Sequence, residues 1–228
     1  MSEQRAEDID DTALMAEVAR GDTVAFERLI ERHQALVIGT VGRMLGNNSE
    51  VEDVAQQVFI RVWKGAPRYR PTAKFTTWLL TITRNLVFNE ARRRKRHPGD
   101  ALDVHEGEEA LALTDPARHV PDQELLEAEL RQAIEKAIRA LPEKQRMAVV
   151  LRRYEGKSYE EIGEVLGLTV AAVKSLLFRA RTELRAALNR YLEKQVTPSL
   201  LSDWQLPGRN TGLGLWAQRV CNPLRLVI

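Results

Sequence analysis

The sequence predicts an all-α fold, with two small helical domains joined by a flexible acidic linker and a helix-turn-helix in the second domain. Apolar residues recur every three or four positions over most of residues 11–194, which is the period of amphipathic helices. Residues 98–122 interrupt this pattern with Gly, Pro and acidic residues, and we interpret them as the linker. A short glycine-containing turn near residue 167 joins two helical patterns, as in a helix-turn-helix.

Four helices are predicted in the first domain, which we place at residues 1–97. Asp10 or Asp11 is expected to cap the first helix, because a carboxylate there accepts hydrogen bonds from free backbone N–H groups. Ser49 and Glu52 have the spacing of a capping box at the start of the third helix. A loop with two prolines precedes the fourth helix. The predicted helices cover about residues 11–20, 22–45, 49–64 and 75–96.

The second domain is predicted at residues 123–194. Its first helix covers about residues 123–139, and Pro142 is well placed at the first position of the next helix, where a missing N–H costs nothing. The capping and turn residues of the helix-turn-helix are Ser158, Glu161, Gly167 and Thr169. Residues 195–228 show no sustained period, and we expect a tail of unknown role there.

The composition bounds the class of protein. The 228 residues are 44% hydrophobic and 29% charged, as in soluble globular proteins. The single cysteine, Cys221, excludes an internal disulfide and suits a reducing compartment. The acidic N-terminus does not match a signal peptide, and no apolar run approaches the roughly 18 residues of a membrane span. We therefore expect a cytoplasmic protein without membrane insertion.

The distribution of charge indicates contact with a polyanion. The net charge is only +2, but basic residues are concentrated at 92–96 and at 174–185. Acidic residues are concentrated at the N-terminus and in the linker between the two basic segments. Two separate basic patches are typical of a protein that touches nucleic acid at two places. The alternative is that both segments are ordinary solvated helix faces.

The last predicted helix has the composition of a DNA-reading helix. Lys174 and Arg179 are placed to reach phosphates or guanine edges. Leu176 lies at the edge of the apolar stripe, where it can either face DNA or pack in the core. An ordinary helical hairpin is the alternative for the whole motif. Small residues off the apolar stripe let the backbone enter a major groove about 12 Å wide, and they are Ala171, Ala172 and Ser175.

Two series of motifs resemble the extracytoplasmic-function RNA polymerase sigma factors. In the second half the similar residues are Leu141-Pro142, Arg146, Leu151-Arg152, Tyr154, 158–162, 167–169, 173–175 and 179–181. In the first half, residues 52–63 resemble the polymerase-binding helix of that family. Residues 75–79, Ile82, Arg84-Asn85 and Arg92-Arg93 resemble its promoter-melting helix. The resemblance covers residues 11–194, and both halves occur in the order of the family.

The resemblance implies a sigma factor that binds core RNA polymerase, recognises −35 and −10 promoter DNA and promotes strand opening, with an anti-sigma factor as a further partner. It implies no catalytic residue, cofactor or metal. The implied polymerase-binding residues are Asp53, Gln56, Gln57, Phe59, Arg61 and Trp63, of which Phe59 and Trp63 are alternatively core residues. The implied −10 contacts are Tyr69, Arg70, Thr72, Lys74, Arg84, Asn85, Arg92 and Arg93. The implied −35 contacts are Ser158, Thr169, Ala171, Ala172, Lys174, Ser175 and Arg179.

The loop before the fourth helix contains the groups that strand opening needs. Unstacking costs a few kcal/mol per base, which binding of the separated strand has to recover. Cations bind the strand backbone, and an aromatic side chain stacks on a base. The loop supplies Tyr69, Arg70 and Lys74, whereas Trp78 in the following helix is more simply a core residue. Pro71-Thr72 stands where the family usually has Gly and an acidic residue, which leaves base choice at −10 open.

Other classes fit the sequence less well. The four histidines are scattered, and the sequence shows no nucleophile–base pair, metal-ligand spacing or phosphate-binding loop, so no enzyme is predicted. The alternative is a conventional helix-turn-helix regulator that acts without polymerase docking and binds palindromes as a dimer. The basic run at 92–96 favours the sigma factor, because a sensor domain needs no second DNA contact.

Overall fold

The computed structural model describes residues 11–46, 50–96 and 122–199, and every regular element in these ranges is helical. The predicted linker, apart from Asp122, lies outside the described residues, as do Ser49 and the tail beyond residue 199. In chain order the elements are α1 (residues 11–18), α2 (Thr23–Leu45), α3 (Glu50–Gly65), a 3-10 turn (Ala66–Arg68), α4 (Phe75–Arg96), α5 (Asp122–Ala140), α6 (Glu143–Arg153), α7 (Tyr159–Leu166) and α8 (Val170–Ser199).

The boundaries of α2 and α4 follow the local sequence signals. The Asp22 carboxylate caps α2 by accepting hydrogen bonds from Val24 N at 2.8 Å and Ala25 N at 3.0 Å. Helix α2 ends at Gly46, whose φ of 87° lies in the region that favours glycine. The predicted fourth helix is confirmed by α4 at Phe75–Arg96.

Asp11 has a different role from the predicted N-cap. It lies inside α1 and is 1% exposed. It accepts a hydrogen bond from Arg32 Nη1 at 2.7 Å, and its other oxygen lies 2.9 Å from His33 Nε2. A buried carboxylate needs such partners, because burial removes its hydration. Asp11 therefore joins α1 to α2 and is not the predicted cap, while Asp10, the other predicted cap, lies outside the described residues.

Two boundaries in the second half also differ from the prediction. Pro142 is the N-cap of α6, with an extended ψ of 143°, and is not the first helical residue. Helix α8 continues to Ser199, whereas the sequence pattern ended at residue 194. Glu193, Lys194 and Gln195 have high helix propensity, which favours this continuation.

The helices form two groups, α1–α4 and α5–α8, and the groups pack against each other. Helix α2 contacts α6, and α4 contacts α7. Arg146 Nη1 donates to the Met44 carbonyl at 2.7 Å, and Lys95 Nζ lies 2.5 Å from a Glu143 carboxylate oxygen. The packing brings the helix-turn-helix beside the basic helix α4. Fully buried apolar residues on both sides include Leu29, Val37, Val58, Leu79, Met147, Leu151, Ile162 and Leu184.

Candidate nucleic-acid interface

Short-range hydrogen bonds fix the turn between α7 and α8. Ser158 Oγ accepts from Glu161 N at 3.2 Å while Ser158 N donates to the Glu161 carboxylate at 2.8 Å, which confirms the predicted capping box. Gly167 has a φ of 66°, and Leu168 N donates to Gly163 O at 2.8 Å. A Cβ at Gly163 would lie 2.7 Å from Leu168 O, so this close approach requires glycine.

Helix α8 presents the predicted DNA-reading face to solvent. Thr169 Oγ1 accepts from Ala172 N at 3.3 Å, as predicted for the N-cap, and Ala172 is half-buried. Leu176 is half-buried and packs against the core. The predicted buried stripe is confirmed at Val173, Leu177, Ala180 and Leu184. The predicted −35 residues that are exposed on this helix are Ala171, Lys174, Ser175 and Arg179.

Phe178 is an exposed aromatic residue on α8 that sequence reasoning missed. It is 69% exposed. It lies three residues after Ser175 and seven after Ala171, so the three residues share one face of the helix. The signal was present in the sequence, because an aromatic residue outside the apolar stripe of a helix has to face solvent or a partner.

Tyr159, at the start of α7, holds two cations beside its ring. The Arg152 guanidinium lies 5.0 Å and the Lys174 ammonium 6.0 Å from the ring centroid. Such cation–π contacts are favourable at these distances. Lys174 is thus positioned next to α7. Hydrogen bonds from the Glu160 backbone and the Ser158 side chain lower the pKa of Glu160, and the charge of Lys174 adds to this shift.

An aromatic cluster supports the loop before α4. The ring centroid of Tyr69 lies 4.9 Å from that of Trp78 and 6.1 Å from that of Phe75. Trp78 is half-buried and packs against the core, in line with the simpler of its two predicted roles. Arg70 and Thr72 are exposed beside this cluster. The loop therefore combines a supported aromatic surface with an exposed cation.

Cations of α4 that are predicted to contact DNA already have partners. Arg92 Nη2 donates to Asn89 Oδ1 at 2.8 Å. Arg93 donates to carboxylate oxygens of Glu90 and of Glu50, at 2.9 Å in each case. The hydrogen bond and charge of Arg93 hold the pKa of Glu90 below its ordinary value, although partial burial opposes this shift. A DNA phosphate that binds Arg93 competes with both carboxylates.

Arg84 and Asn85 lie in the middle of α4, and Arg94 lies near its end. Arg84 is half-buried, its guanidinium carbon is 6.0 Å from the Phe88 ring centroid, and burial lowers its pKa. Asn85 is exposed. Arg94 Nη1 donates to the Leu45 carbonyl at 2.9 Å, which satisfies the C-terminal end of α2. Arg94 thus stabilises the packing of α4 on the end of α2, whereas Asn85 is exposed and can contact a ligand.

The loop between α6 and α7 reaches across to the first group of helices. Glu155 lies 3.6 Å from Arg43 Nη1 and accepts a hydrogen bond from Thr40 Oγ1 at 3.4 Å. Burial raises the pKa of Glu155, and the charge of Arg43 opposes that shift. Lys157 is 8% exposed and donates to Thr76 Oγ1 at 2.9 Å. Sequence reasoning missed these residues, because their partners are distant along the chain.

Lys74, predicted to contact −10 DNA, lies beside the helix-turn-helix. Its ammonium is 3.3 Å from Glu161 Oε1. Burial raises the pKa of Glu161, but the hydrogen bond from Ser158 N and the charges of Lys157 and Lys74 outweigh burial, so the pKa lies below its ordinary value. Glu161 is therefore charged near neutral pH and pairs with Lys74.

The residues predicted to bind polymerase lie on two sides of α3. Phe59 is 8% exposed and belongs to the core. Trp63 is half-buried, with its ring centroid 5.0 Å from that of Phe26 in an edge-on arrangement. Phe59 thus packs in the core and Trp63 packs against it. The exposed members of the set are Asp53, Gln56, Gln57 and Arg61.

The chain is similar to known RNA polymerase sigma factors in both of its halves. Residues 29–97 match the model of Sigma-70 region 2, and residues 131–184 match that of Sigma-70 region 4. The chain is 33% identical over 190 residues to the RNA polymerase sigma-H factor of Pseudomonas aeruginosa, covering 81% of this chain and 96% of that protein. It is 35% identical over 180 residues to the ECF RNA polymerase sigma-E factor of Escherichia coli K12, covering 77% and 93%.

The chain belongs to the extracytoplasmic-function (ECF) family of RNA polymerase sigma factors. Its partners as a sigma factor are core RNA polymerase and promoter DNA, and the family is not one of enzymes. Among the residues that the structure describes, no helix is both long and apolar enough to span a bilayer. The same residues include no group of three or more His, Cys, Asp or Glu side chains arranged to hold a metal ion.

Two solved structures share the fold. CnrH, solved in complex with the cytosolic domain of CnrY, matches with a TM-score of 0.58 and 25% identity, covering 79% of this chain and 98% of that chain. The sigma factor RpoE from Bartonella quintana, solved with the anti-sigma factor NepR, matches with a TM-score of 0.54 and 23% identity, covering 72% and 96%. The predicted all-α fold with two sigma regions is confirmed.

Proposed function

We propose that the protein divides promoter recognition among three surfaces. The exposed face of α3 binds core RNA polymerase, the loop before α4 together with α4 recognises and opens the −10 element, and the helix-turn-helix recognises the −35 element. The corresponding segments are residues 1–97 for polymerase and −10, 98–122 for the linker, 123–194 for −35 and 195–228 for the tail.

The observation that carries the proposal is the polar face of α3. Asp53 and Gln57 lie four residues apart on one exposed face, with Gln56 and Arg61 on its two sides. The opposite face of α3 fills the core with Val54, Val58, Phe59 and Val62. The polar face is exposed, so it is available to a partner. Substitutions on this face are expected to leave the core of the domain intact.

Two further surfaces have the groups that DNA contact requires. At the −10 surface, Arg70 and Thr72 are exposed next to the Tyr69–Trp78 aromatic pair, and Asn85 is exposed on α4. At the −35 surface, small residues on the exposed face of α8 permit a close approach to base edges. Thr169 and Ser158 cap helices there and serve DNA binding by holding the N-terminal helix ends.

A conventional helix-turn-helix regulator needs only the −35 surface. It would leave the polar face of α3 and the basic surface of α4 without a use. The sigma factor uses all three surfaces.

Charge reversal on α3 tests the docking surface. Asp53→Arg combined with Gln56→Ala is expected to weaken binding to core polymerase at least tenfold, with unchanged helicity and melting temperature, because both side chains are exposed. Glu27→Arg with Gln34→Ala places the same changes on exposed positions of α2 and serves as the control. Unchanged copurification of the α3 variant with core polymerase would exclude this face.

We further propose that the protein acts in the cytoplasm under the control of an anti-sigma factor. The fold relative from Bartonella quintana is solved with the anti-sigma factor NepR. RNA polymerase acts on chromosomal DNA, so its sigma factor acts in the same compartment. Binding of this protein to a purified anti-sigma factor tests this control. The anti-sigma factor is expected to reduce transcription at the same concentration at which it binds.

A further inference from the structure

We propose that Asp11 and His33 are positioning residues for the −10 strand. The buried Asp11–His33 pair holds the imidazole ring against Phe75, and Phe75 sets the orientation of two aromatic rings, Tyr69 and Trp78, below the loop that precedes α4. Neither Asp11 nor His33 needs to touch DNA itself. The inference rests on the function proposed above for that loop, and it gives helix α1 a task in strand opening.

The polar pair is buried inside the first helix group and is fixed at both carboxylate oxygens. One Asp11 oxygen lies 2.9 Å from His33 Nε2, and the other accepts a hydrogen bond from Arg32 Nη1 at 2.7 Å. Two partners on two oxygens restrict the rotation of the carboxylate. The hydrogen bond that Asp11 shares with His33 then orients the imidazole ring, because a satisfied buried polar network is rigid.

Stability alone does not account for a polar pair at this place. Removing charged and polar groups from water costs free energy, which their mutual attraction offsets only in part. Apolar side chains of similar volume often fill such a site with about the same stability. Apolar side chains do not provide a hydrogen bond of fixed direction. The pair thus points to a task that depends on the direction of the His33 ring.

The His33 ring forms one wall of the site that holds Phe75. The two ring centroids are 5.0 Å apart, and the ring planes are tilted by 49°. Phe75 is the first residue of α4 and is fully buried. A change in the direction of the imidazole is therefore passed to Phe75, because a closely packed interior leaves no room for one ring to turn alone.

Phe75 connects the polar pair to the loop before α4. Its ring centroid lies 5.9 Å from that of Trp78 and 6.1 Å from that of Tyr69, and the Tyr69 and Trp78 centroids are 4.9 Å apart. The exposed Arg70 directly follows Tyr69. Thr72 N donates to Arg70 O at 2.8 Å, which closes a turn within the loop itself. The packing of Tyr69 therefore sets where Arg70 is presented to a strand.

This positioning acts on one surface of the protein. The polymerase face of α3 and the reading face of α8 carry none of the four rings. A base that stacks on an aromatic ring contributes to strand binding only when that ring keeps its orientation. Loss of the Asp11–His33 pair is therefore expected to impair strand opening, while the affinities for core polymerase and for −35 duplex DNA stay close to those of wild type.

An apolar double variant removes the pair and keeps the site filled. Asp11→Leu with His33→Leu leaves no buried charge unpaired, and Arg32 is exposed and keeps its hydration. Asp11→Leu with His33→Phe restores an aromatic ring next to Phe75. The matched control is Val41→Ala, which leaves a cavity in the core of the same helix at about 12 Å from His33 along the helix axis.

The first measurement is the fluorine NMR spectrum of the full-length protein labelled with fluorotryptophan. Trp78→Phe identifies the Trp78 resonance. This resonance is expected to shift in the apolar double variant, to return toward its wild-type position in the variant with His33→Phe, and to stay in place in Val41→Ala. An unchanged Trp78 resonance in the folded double variant overturns the proposal, and this test does not depend on what the loop does with DNA.

The second measurement is the permanganate reactivity of unpaired thymines in open complexes. The complexes form with core polymerase on a promoter selected beforehand from random sequences with the wild-type protein. At equal occupancy by polymerase, the apolar double variant is expected to open the promoter about five- to tenfold less than wild type, as for the loss of a stacked base. The variant with His33→Phe is expected to recover at least half of this loss, and Val41→Ala, compared at equal folded fraction, is expected to open the promoter as wild type does. Equal loss in Val41→Ala, no recovery with His33→Phe, or a shifted Trp78 resonance with wild-type opening overturns the proposal.

Asp11→Asn tests the proposal if the double variant does not fold. The amide keeps the shape of the carboxylate but has no charge, so it holds His33 less strongly. It is expected to change the Trp78 resonance and the opening in the same directions by a smaller factor, and no change in either measurement overturns the proposal. The function proposed for the loop fails in a different way, namely if Arg70→Ala with Lys74→Ala opens the promoter as wild type does, whatever the Trp78 resonance shows.

Discussion

The two surfaces proposed to contact DNA differ in what their cations already bind. At the −10 surface, Lys74 pairs with Glu161, and Arg93 pairs with two carboxylates. At the −35 surface, Lys174 and Arg179 are exposed; Lys174 lies beside the Tyr159 ring, and its charge also acts on the exposed Glu160 carboxylate. A paired cation exchanges a carboxylate for a phosphate, whereas an exposed cation mainly releases counterions from DNA.

This difference assigns different tasks to the two surfaces. Helix α8 presents its reading face in the arrangement that the structure shows, so it suits recognition of intact duplex DNA. At the −10 surface Arg70 is exposed, but Lys74 and Arg93 are held by carboxylates, so full engagement of a strand there suits a later step than recognition of the duplex.

The largest effect is expected from the loop before α4. Arg70→Ala with Lys74→Ala is expected to reduce open-complex formation on duplex promoters by on the order of tenfold or more, because two cations that bind the separated strand are lost. Permanganate reactivity of unpaired thymines measures the opening. A promoter with a pre-opened −10 bubble should restore part of the activity. Wild-type opening at moderate salt would exclude the loop, and Lys136→Ala with Arg139→Ala on α5 is the control.

The next effect is expected on α8 and depends on the DNA sequence. Arg179→Ala is expected to weaken binding to the native −35 duplex by about 1–3 kcal/mol if the guanidinium reads a guanine, with little change on scrambled DNA. Fluorescence anisotropy on both duplexes measures it. Equal weakening on both would indicate a phosphate contact. Arg190→Ala, an exposed position further along α8, is the control, and an identical loss there would remove the special role of Arg179.

Leu176→Arg tests whether the −35 surface has room for one more cation. Leu176 is half-buried, and an arginine stem can keep its apolar packing while the guanidinium reaches solvent or DNA. Binding to −35 DNA is expected to tighten by roughly 1 kcal/mol. The slope of log affinity against log salt should steepen by about 0.9 for one new phosphate contact. A lower melting temperature together with weaker binding would place Leu176 in the core only.

The smallest effect concerns the cap of α7. Glu161→Ala is expected to lower the free energy of unfolding by about 1 kcal/mol, and Glu161→Gln by less, because glutamine keeps the capping box. The pKa of Glu161 is lowered in the folded state, so its charge stabilises the protein above the unfolded pKa of roughly 4.3. The stability difference between wild type and Glu161→Gln should therefore vanish as the pH falls through the folded pKa. Urea titrations across this pH range measure it, and a difference that grows in acid would contradict the assigned sign.

Local signals in the sequence predicted the helices of the described residues well. The capping box at Ser158, the turn at Gly167 and the limits of α4 depend on residues a few positions apart, so their physical causes are visible in the sequence. The motifs of both sigma regions are likewise contiguous, and they led to the family directly.

Contacts between distant residues could not be predicted in the same way. Asp11 is a residue type that commonly caps helices, but its partners Arg32 and His33 lie on the next helix. The loop between α6 and α7 likewise contacts residues 81 and 115 positions away, through Lys157 with Thr76 and Glu155 with Thr40. Phe59 has helical spacing that suits either the core or a partner, and only the packing of α3 places it inside. The roles of the individual site residues stay predictions.

An electrophoretic mobility shift with and without core polymerase distinguishes a sigma factor from a regulator that binds DNA by itself. The DNA carries −35 and −10 elements selected beforehand from random sequences with this protein and core polymerase, and matched duplexes carry either element scrambled. The expected result is a tight complex only with core polymerase present, weakened by scrambling either element, and a weaker complex of the protein alone that depends on the −35 element. An equally tight complex without core polymerase, or one that ignores the −10 element, would contradict the account.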